Sequence, residues 1–299
     1  MSAVRSLRTP LELLRLAPDE ADELLDWLED NVPVRAPVTE ITSATAEEAV
    51  VFGDTHGDWR STEEVVRLYR AGNRCLVGLG DYVDRAPADC GEGSVVNALY
   101  LLSLAAEAPG RVFLIQGNHE GVHHLALVPH NLPEEVDAMW GPDSTRYDRL
   151  VGLLERGPFA VTTSNGAYLA HAGFPRGPLP SPWTEAYESL DEDRFAQITW
   201  AESDASQIGR GVAPPWGGRD LDQFLSTTGL HVMLRGHDPD LTGRPLYGGR
   251  CLTLHTCRIY QRFGGVLVAI LPLRSPLRTV ADLTVTHLPT EGKSYPVPE

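Results

Sequence analysis

Apolar residues along the chain follow two different periods, and the change between them divides the sequence. Between Thr9 and Asn31, leucines recur at close to helical spacing and Pro18 interrupts them, which predicts two short amphipathic helices. From residue 49 onward, short apolar runs alternate with longer amphipathic stretches. Such alternation is typical of an α/β protein with a parallel sheet and right-handed crossovers.

The alternating region opens with a strand, helix, strand, helix, strand series. Short runs rich in valine, isoleucine and leucine predict the strands, and the stretches between them predict helices. Ser61 is the expected N-cap of the first helix, which ends near Arg70. The predicted strands lie at 49–52, 74–79 and 112–115, and the second helix lies at about 94–108.

The second half of the chain is richer in strands. Residues 125–157 are expected to be helical and looped, and a hairpin follows with its turn at Asn165 and Gly166. The strand candidates are 159–163, 167–170, 231–234, 251–254 and 266–273. We predict a helical N-terminal segment, 1–45, that packs on a central domain, 46–274, followed by a C-terminal tail, 275–299.

Polar strings follow three of the predicted strands: GDTHGD at 53–58, GDYVDR at 80–85 and GNHE at 117–120. Ligands bind at the carboxyl ends of strands in open sheets of this type. Asp54 and His56 can therefore turn toward one point that Asp81 also reaches, and these three would bind one metal ion. The ligands expected for a second ion are Asp81, Asn118, His171 and His237.

The chemistry of this ligand set narrows the choice of metal. Carboxylate, amide oxygen and imidazole together suit manganese, iron or zinc better than calcium or magnesium. We expect two divalent ions, manganese first, with iron or zinc as the alternatives. Two ions roughly 3.5–4 Å apart can activate a bridging water for in-line displacement at phosphorus.

Composition excludes several other classes of protein. The 299 residues include 25 basic and 41 acidic ones, a formal charge of −16 that opposes binding to nucleic acid or to anionic membranes. The sequence has no secretory signal and no apolar run near the roughly 18 residues of a membrane span, so the expected compartment is the cytoplasm. The four cysteines are expected to be reduced, buried thiols. Nothing in the sequence indicates an oligomeric state.

Five motifs in order resemble the PPP family of metal-dependent phosphoesterases, whose best-known members are the serine/threonine protein phosphatases. They are the three strings above, His171-Ala172-Gly173, and Arg235-Gly236-His237. The resemblance covers 53–237, most of the central domain. It implies an α/β, calcineurin-like metallophosphoesterase fold in which helices flank two packed mixed β-sheets and the metals lie at the strand ends.

The resemblance also implies roles for individual residues. His119 would protonate the leaving oxygen, and Asp84 would orient His119. Arg210, in a segment that resembles the family's tryptophan, acidic residues and Arg-Gly-Val, would bind phosphate together with Arg85. Tyr260 falls where the family places a tyrosine at the rim of the active site. The positions that match phosphate contacts are Arg85, Asn118 and Arg210.

The sequence departs from the family pattern beside these motifs. Ala86 replaces the usual glycine after the Asp-Arg pair, and Gln116 replaces the usual arginine before GNHE. Extra residues at 89–93 lengthen the loop after Arg85, and 255–260 replace the SAPNY string of the eukaryotic enzymes. No metal ligand is lost. The sequence leaves open the role of the 89–93 loop and of His255.

Three functions fit these motifs. The first is a phosphomonoesterase that hydrolyses phosphoserine, phosphothreonine or phosphotyrosine in proteins by direct attack of a metal-bridging hydroxide. The second is a dinucleoside polyphosphate hydrolase or another small phosphoester hydrolase, and Asp84 and Glu120 favour the first over this one, since the tetraphosphate hydrolases typically differ at both positions. The third is an inactive binding module, which is disfavoured because neither His119 nor a ligand is lost.

Overall fold

The structure is a computed structural model that describes residues 7–142 and 144–289. In this part of the chain the strands are β1 Val38–Ile41, β2 Glu48–Phe52, β3 Arg74–Gly78, β4 Val112–Leu114, β5 Ala160–Thr163, β6 Ala167–Ala170, β7 Val232–Arg235, β8 Cys251–Thr253, β9 Leu267–Pro272 and β10 Thr284–His287. The α-helices are α1 Pro10–Leu13, α2 Pro18–Asn31, α3 Trp59–Tyr69, α4 Gly93–Glu107, α5 Leu132–Trp140, α6 Ser144–Leu154, α7 Glu192–Thr199, α8 Gly218–Thr228 and α9 Gln261–Gly264.

Within the described residues these strands form two mixed five-stranded sheets. One sheet has the order β10-β9-β2-β3-β4, and the other has the order β1-β5-β6-β7-β8. The predicted parallel series is β2-β3-β4, in which Val51 pairs with Val77 and Val77 with Phe113. The predicted strand near residue 270 becomes β9 and pairs antiparallel with β2. The α/β fold with two mixed sheets is therefore confirmed.

The two sheets pack face to face and carry helices on their outer faces. Val51, Val77 and Phe113 of one sheet and Leu169 and Leu234 of the other belong to one buried apolar cluster. Helices α2 to α6 contribute apolar residues to a second cluster, which includes Val50 of β2, and α7 and α8 contribute to a third, which includes Tyr168 of β6. The inner strands of both sheets are thus buried on both faces, and their ends are held in fixed positions.

The first predicted helix of the alternating region was given the wrong N-cap. Its cap is Asp58, whose carboxylate accepts hydrogen bonds from the Ser61 backbone N–H and hydroxyl, and the helix, α3, begins at Trp59. Ser61 is the partner of the cap rather than the cap itself. The difference matters, because Asp58 belongs to the first polar string and has further partners near the site.

The ends of the chain contribute strands that the sequence did not predict. β1 pairs parallel with β5, and β10 pairs antiparallel with β9, so each lies at the edge of a sheet. The division into segments 1–45, 46–274 and 275–299 stays a prediction, and residues 1–6 and 290–299 of those segments lie outside the described residues. Among the described helices, none has the length and apolarity needed to cross a membrane.

Candidate metal centre and active site

Both sheets deliver the predicted ligands to the same end of the molecule. Asp54 and Asp81 follow β2 and β3, and Asn118 follows β4. His171 comes directly after β6, and His237 comes two residues after β7. All five side chains are buried. The carboxyl ends of parallel strands from two packed sheets therefore bring together residues far apart in sequence.

The backbone in these strand-end turns is unusual. Positive φ angles occur at His56, Asp81, Asp84, Arg85 and His237, with values from 43° to 71°. In the described chain only one other non-glycine residue has such an angle. This conformation is uncommon for residues with a Cβ and is retained where the surrounding structure fixes it, often at functional sites.

One group of donor atoms has lone pairs that face each other. His171 Nδ1 lies 2.9 Å from the Leu79 carbonyl, to which it donates, and His237 Nε2 lies 3.1 Å from the Trp200 carbonyl. The other ring nitrogens then carry lone pairs: His171 Nε2 lies 3.2 Å from His237 Nδ1 and 2.9 Å from Asn118 Oδ1. Three acceptors this close together, with no proton between them, fit a bound cation.

The second group of donors is arranged in the same way. The His56 Nδ1–H donates to the Val83 carbonyl over 2.9 Å, so its Nε2 lone pair points inward. This Nε2 lies 3.8 Å from Asp54 Oδ2 and 3.7 Å from Asp81 Oδ2. The donor atoms thus form two sets of three, and within each set all atoms lie within 4.8 Å of one another. The first set is His56, Asp81 and His119, and the second is Asp81, His171 and His237, so Asp81 belongs to both.

Two glycines make room for the carboxylates in these groups. A Cβ at Gly117 would overlap Asp81 Oδ1, and a Cβ at Gly236 would overlap Asp54 Oδ1. Both glycines come from the recognised motifs. Their absence of a side chain lets neighbouring loops approach the acidic residues closely.

The charges of the site favour the metal-binding protonation states. Burial opposes ionisation of Asp54, but His255 and other imidazoles hold the pKa of Asp54 below its ordinary value. Asp81 also has a lowered pKa, because nearby imidazoles, His171 first, outweigh the effect of burial. Burial lowers the pKa of His56 to about 3, so this imidazole is neutral. Ionised carboxylates and a neutral imidazole such as that of His56 are the forms that bind divalent metals.

His119 is held at one nitrogen and open at the other. Its Nδ1–H donates to Asp84 Oδ2 over 2.6 Å, in the pairing that the sequence predicted. Its Nε2 is buried, has no hydrogen-bond partner among the described residues, and lies 3.8 Å from Asp81 Oδ2. A ring fixed in this way presents one nitrogen to whatever binds beside the donor groups.

The two arginines and Tyr260 lie beside these groups. Arg85 Nη1 donates to the Tyr260 hydroxyl over 3.0 Å, and the Tyr260 ring centroid is 5.6 Å from that of His56. Arg210 Nη2 donates to the His237 carbonyl over 3.1 Å, and Nη1 lies 3.4 Å from Glu202 Oε1. The structure thus brings all the predicted site residues together, while their roles stay predictions.

Comparison with known proteins identifies the family. Residues 49–241 match the calcineurin-like phosphoesterase family. The chain belongs to this family. That match includes every residue of the two donor groups, whereas Tyr260 lies outside it. The metallophosphoesterase fold implies divalent metal ions.

The curated proteins that this chain resembles include phosphatases. A probable serine/threonine-protein phosphatase of Encephalitozoon cuniculi is 27% identical over 225 residues, 72% of this chain and 48% of that protein. Serine/threonine-protein phosphatase 7 of Arabidopsis thaliana is 31% identical over 182 residues, 58% of this chain and 42% of that protein. The chain therefore spans about half the length of these curated relatives.

A solved structure supports the fold of the phosphoesterase over nearly its full length. It is a protein serine/threonine phosphatase from Saccharomyces cerevisiae, with a TM-score of 0.68 and 21% identity. The likeness covers 93% of this chain and 90% of that chain. At this identity the likeness shows the shared fold.

Glu120 ties the second and third motifs of the phosphoesterase together. Its buried carboxylate accepts the backbone N–H groups of Asp81, Tyr82 and Gly117 at 2.7–2.8 Å. Burial, then the charge of Asp81, raises the pKa of Glu120 to about 8 despite these bonds. The last residue of GNHE therefore fixes the turn that carries the shared ligand Asp81.

The lengthened loop and the segment that replaces SAPNY contact each other. Arg258 bonds Asp58 on one side and Asp89 of the 89–93 loop on the other, with Nη1 to Asp89 Oδ2 at 2.9 Å. His255 is buried, with Nε2 3.1 Å from Asp54 Oδ2. Both departures from the family pattern thus support the acidic residues of the first motif. Gln116 instead donates to the Glu155 and Gly157 carbonyls.

Sequence reasoning missed one residue at the centre of the site. His130 had no motif to mark it, yet its Nδ1 lies 2.9 Å from Asp84 Oδ2. The backbone N–H groups of Asn131 and Leu132 donate to Asp84 Oδ1 over 2.6 and 3.0 Å. Only its position eleven residues after His119, at the end of a loop, could have suggested a contact.

Proposed function

We propose that this phosphoesterase is a metal-dependent phosphomonoesterase that hydrolyses phosphoserine and phosphothreonine in proteins. The observation that carries the proposal is the geometry of His119. Its Nδ1 is fixed by Asp84, and its buried Nε2 is open beside the donor groups that share Asp81. A histidine oriented by a carboxylate is suited to donate a proton to a leaving alcohol.

The relatives support the choice of substrate. The Encephalitozoon and Arabidopsis proteins are named as serine/threonine phosphatases, the first as a probable one, and their matches cover 72% and 58% of this chain. Because this chain spans only about half the length of each relative, we propose the same substrate class for it on the basis of this similarity. Phosphotyrosine is a further substrate class for the same site.

Two divalent ions fit the donor atoms, and we propose manganese, with iron or zinc as alternatives. One ion would be held by Asp54, His56 and Asp81. The ligands proposed for the other are Asp81, Asn118, His171 and His237. When bound, such a pair lowers the pKa of a bound water and withdraws negative charge from the phosphoryl group.

Side chains of the protein would bind the phosphoryl group and protonate the leaving oxygen. Arg85, Arg210 and Asn118 would bind the phosphoryl oxygens, and the two guanidinium groups would neutralise their charge. His119 would protonate the leaving oxygen while Asp84 keeps its ring in place. The Tyr260 hydroxyl accepts from Arg85 and so limits the positions of that guanidinium.

A direct comparison of substrates tests the proposal. The purified protein with manganese would be assayed on a phosphothreonine peptide and on diadenosine tetraphosphate at equal concentrations. We expect kcat/KM to favour the phosphopeptide and His119→Asn to remove most of the activity. A strong preference for the dinucleotide would instead establish the alternative, a dinucleoside polyphosphate hydrolase. If the protein hydrolysed neither substrate, both the proposed function and the alternative would be wrong.

A further inference from the structure

One oxygen of Asp84 contacts two imidazoles. Asp84 Oδ2 lies 2.6 Å from His119 Nδ1 and 2.9 Å from His130 Nδ1. Although burial opposes its ionisation, the hydrogen bonds of the two rings hold the pKa of Asp84 below its ordinary value. An ionised carboxylate can only accept hydrogen bonds, so both rings donate from Nδ1.

The outer nitrogen of His130 has a partner of its own. His130 Nε2 lies 3.0 Å from the Tyr147 hydroxyl on α6, and the two ring centroids are 5.7 Å apart. At this distance Nε2 and the hydroxyl share a hydrogen bond, in which the hydroxyl can act as donor or as acceptor. Tyr147, His130, Asp84 and His119 therefore form one continuous chain of hydrogen bonds.

The other oxygen of Asp84 is also fully used. Asp84 Oδ1 accepts the N–H groups of Asn131 and Leu132, where α5 begins. The side chain of His130 is only 12% exposed, and that of Asp84 is fully buried. Four donors thus fix both oxygens of Asp84, and three of them come from consecutive residues, 130–132.

We propose that His130 is a positioning residue for proton donation by His119. The inference rests on the proposed phosphatase function. His130 donates to the same oxygen of Asp84 that accepts from His119, so it helps to fix the position of that carboxylate and, through it, of the His119 ring. Without that donor, the buried oxygen lacks one partner, and its charge and its freedom to move act on His119 alone.

The proton transfer is balanced as follows. Water adds to phosphorus and releases one of its protons to solvent as the bond from phosphorus to the leaving oxygen breaks. The Nε2 proton of the His119 imidazolium passes to that oxygen, the alcohol leaves, and neutral His119 takes up a proton from solvent. The Nδ1 protons of His119 and His130 stay on their rings throughout.

Two substrates separate this role from a structural one. Phenyl phosphate has a leaving oxygen that needs a proton, whereas 2,4-dinitrophenyl phosphate has one that does not. We expect His130→Leu to lower kcat for phenyl phosphate roughly tenfold, a fraction of a general acid's full effect, and to change kcat for the dinitrophenyl ester less than about twofold. Equal losses on both substrates would overturn the proposal.

Matched variants complete the test. His130→Asn places an amide N–H near the position of Nδ1, so we expect it to restore most of the phenyl phosphate activity. His123→Leu is the control: it lies on the same loop, its side chain is 52% exposed, and its ring bonds Glu155 rather than Asp84. The control should match the wild type on both substrates. A His130→Asn protein as impaired as His130→Leu would contradict the role.

A second variant tests the same role of His130 with a smaller change to the structure. Should His130→Leu not fold, Tyr147→Phe removes only the hydroxyl that fixes the His130 ring, and we expect about a threefold loss confined to phenyl phosphate. A Tyr147→Phe protein with no such selectivity would then overturn the proposal. Failure of the wild type to hydrolyse either ester would instead remove the proposed function, and this inference with it.

Discussion

Arg258 and Asp58 form a buried ion pair that joins the segment between β8 and β9 to the first motif. Arg258 Nε lies 2.9 Å from Asp58 Oδ2, and Nη2 lies 2.8 Å from Asp58 Oδ1. The side chain of Asp58 is fully buried and that of Arg258 is 10% exposed. Since Asp58 also caps α3, one carboxylate organises both the helix and the segment that ends at Tyr260.

Replacing Arg258 should destabilise the protein strongly. Arg258→Leu leaves the Asp58 charge buried without its cation, and we expect the free energy of unfolding to fall by about 3 kcal/mol. Urea denaturation at constant metal concentration measures it. Arg262→Leu is the matched control, because Arg262 is exposed and contacts only the Phe263 ring among the interactions described for it. Similar losses for both variants would show that the pair with Asp58 has no special weight.

Metal binding should depend on the shared carboxylate. We expect the wild type to bind about two manganese ions in equilibrium dialysis, and Asp81→Asn to bind fewer than one, because Asp81 belongs to both donor groups. Chelation should also lower the melting temperature of the wild type, since ligands of the folded state stabilise it. Asp282→Asn, a fully exposed surface carboxylate, should keep the wild-type stoichiometry. An unchanged stoichiometry in Asp81→Asn would contradict the proposed centre.

The sequence predicted the buried strands better than it predicted contacts between side chains. β2 and β3 were predictable because their apolar runs are buried on both faces and end in recognisable polar strings. β10 was not, because three of its four residues are exposed, so it carries no apolar pattern. His130 could not be foreseen either. It meets Asp84 across 46 residues of sequence, and only the packing of α5 and α6 creates the contact.

Ionisation of Glu135 should lower the free energy of unfolding as the pH rises. Burial raises the pKa of Glu135 to about 7, although hydrogen bonds from Ser94 act in the opposite direction. Between the ordinary value of 4.5 and about 7, the folded carboxyl keeps a proton that the unfolded chain has lost, so the free energy of unfolding decreases as pH rises. The loss should be on the order of 2 kcal/mol.

A variant pair isolates this contribution of Glu135. Glu135→Gln cannot ionise at this position. Its free energy of unfolding should therefore fall less than that of the wild type between pH 4.5 and pH 7. Glu134→Gln, at the exposed neighbouring position, should leave that difference unchanged. Denaturant titrations at several pH values give the comparison. Parallel pH curves for wild type and Glu135→Gln would rule out the assignment.

The bond between Arg85 and Tyr260 should affect substrate binding. Tyr260→Phe removes the hydroxyl that accepts from Arg85, and we expect KM for a phosphopeptide to rise about threefold with little change in kcat. The reason is that a less restricted guanidinium still reaches phosphate but must be ordered on binding. Tyr69→Phe, at the end of α3, is the control. A fall in kcat at unchanged KM would place Tyr260 in the chemical step instead.

The strands that follow residue 241 complete the metal centre from outside the region matched to the family. The Thr256 hydroxyl accepts the Gly53 N–H over 2.9 Å, and β9 covers the edge of β2 that leads to Asp54. An expressed fragment limited to 49–241 would therefore expose a long apolar strand edge and lose a brace of its first motif. We therefore expect that Thr256 and β9 cannot be removed without disturbing the first of the motifs that define the family.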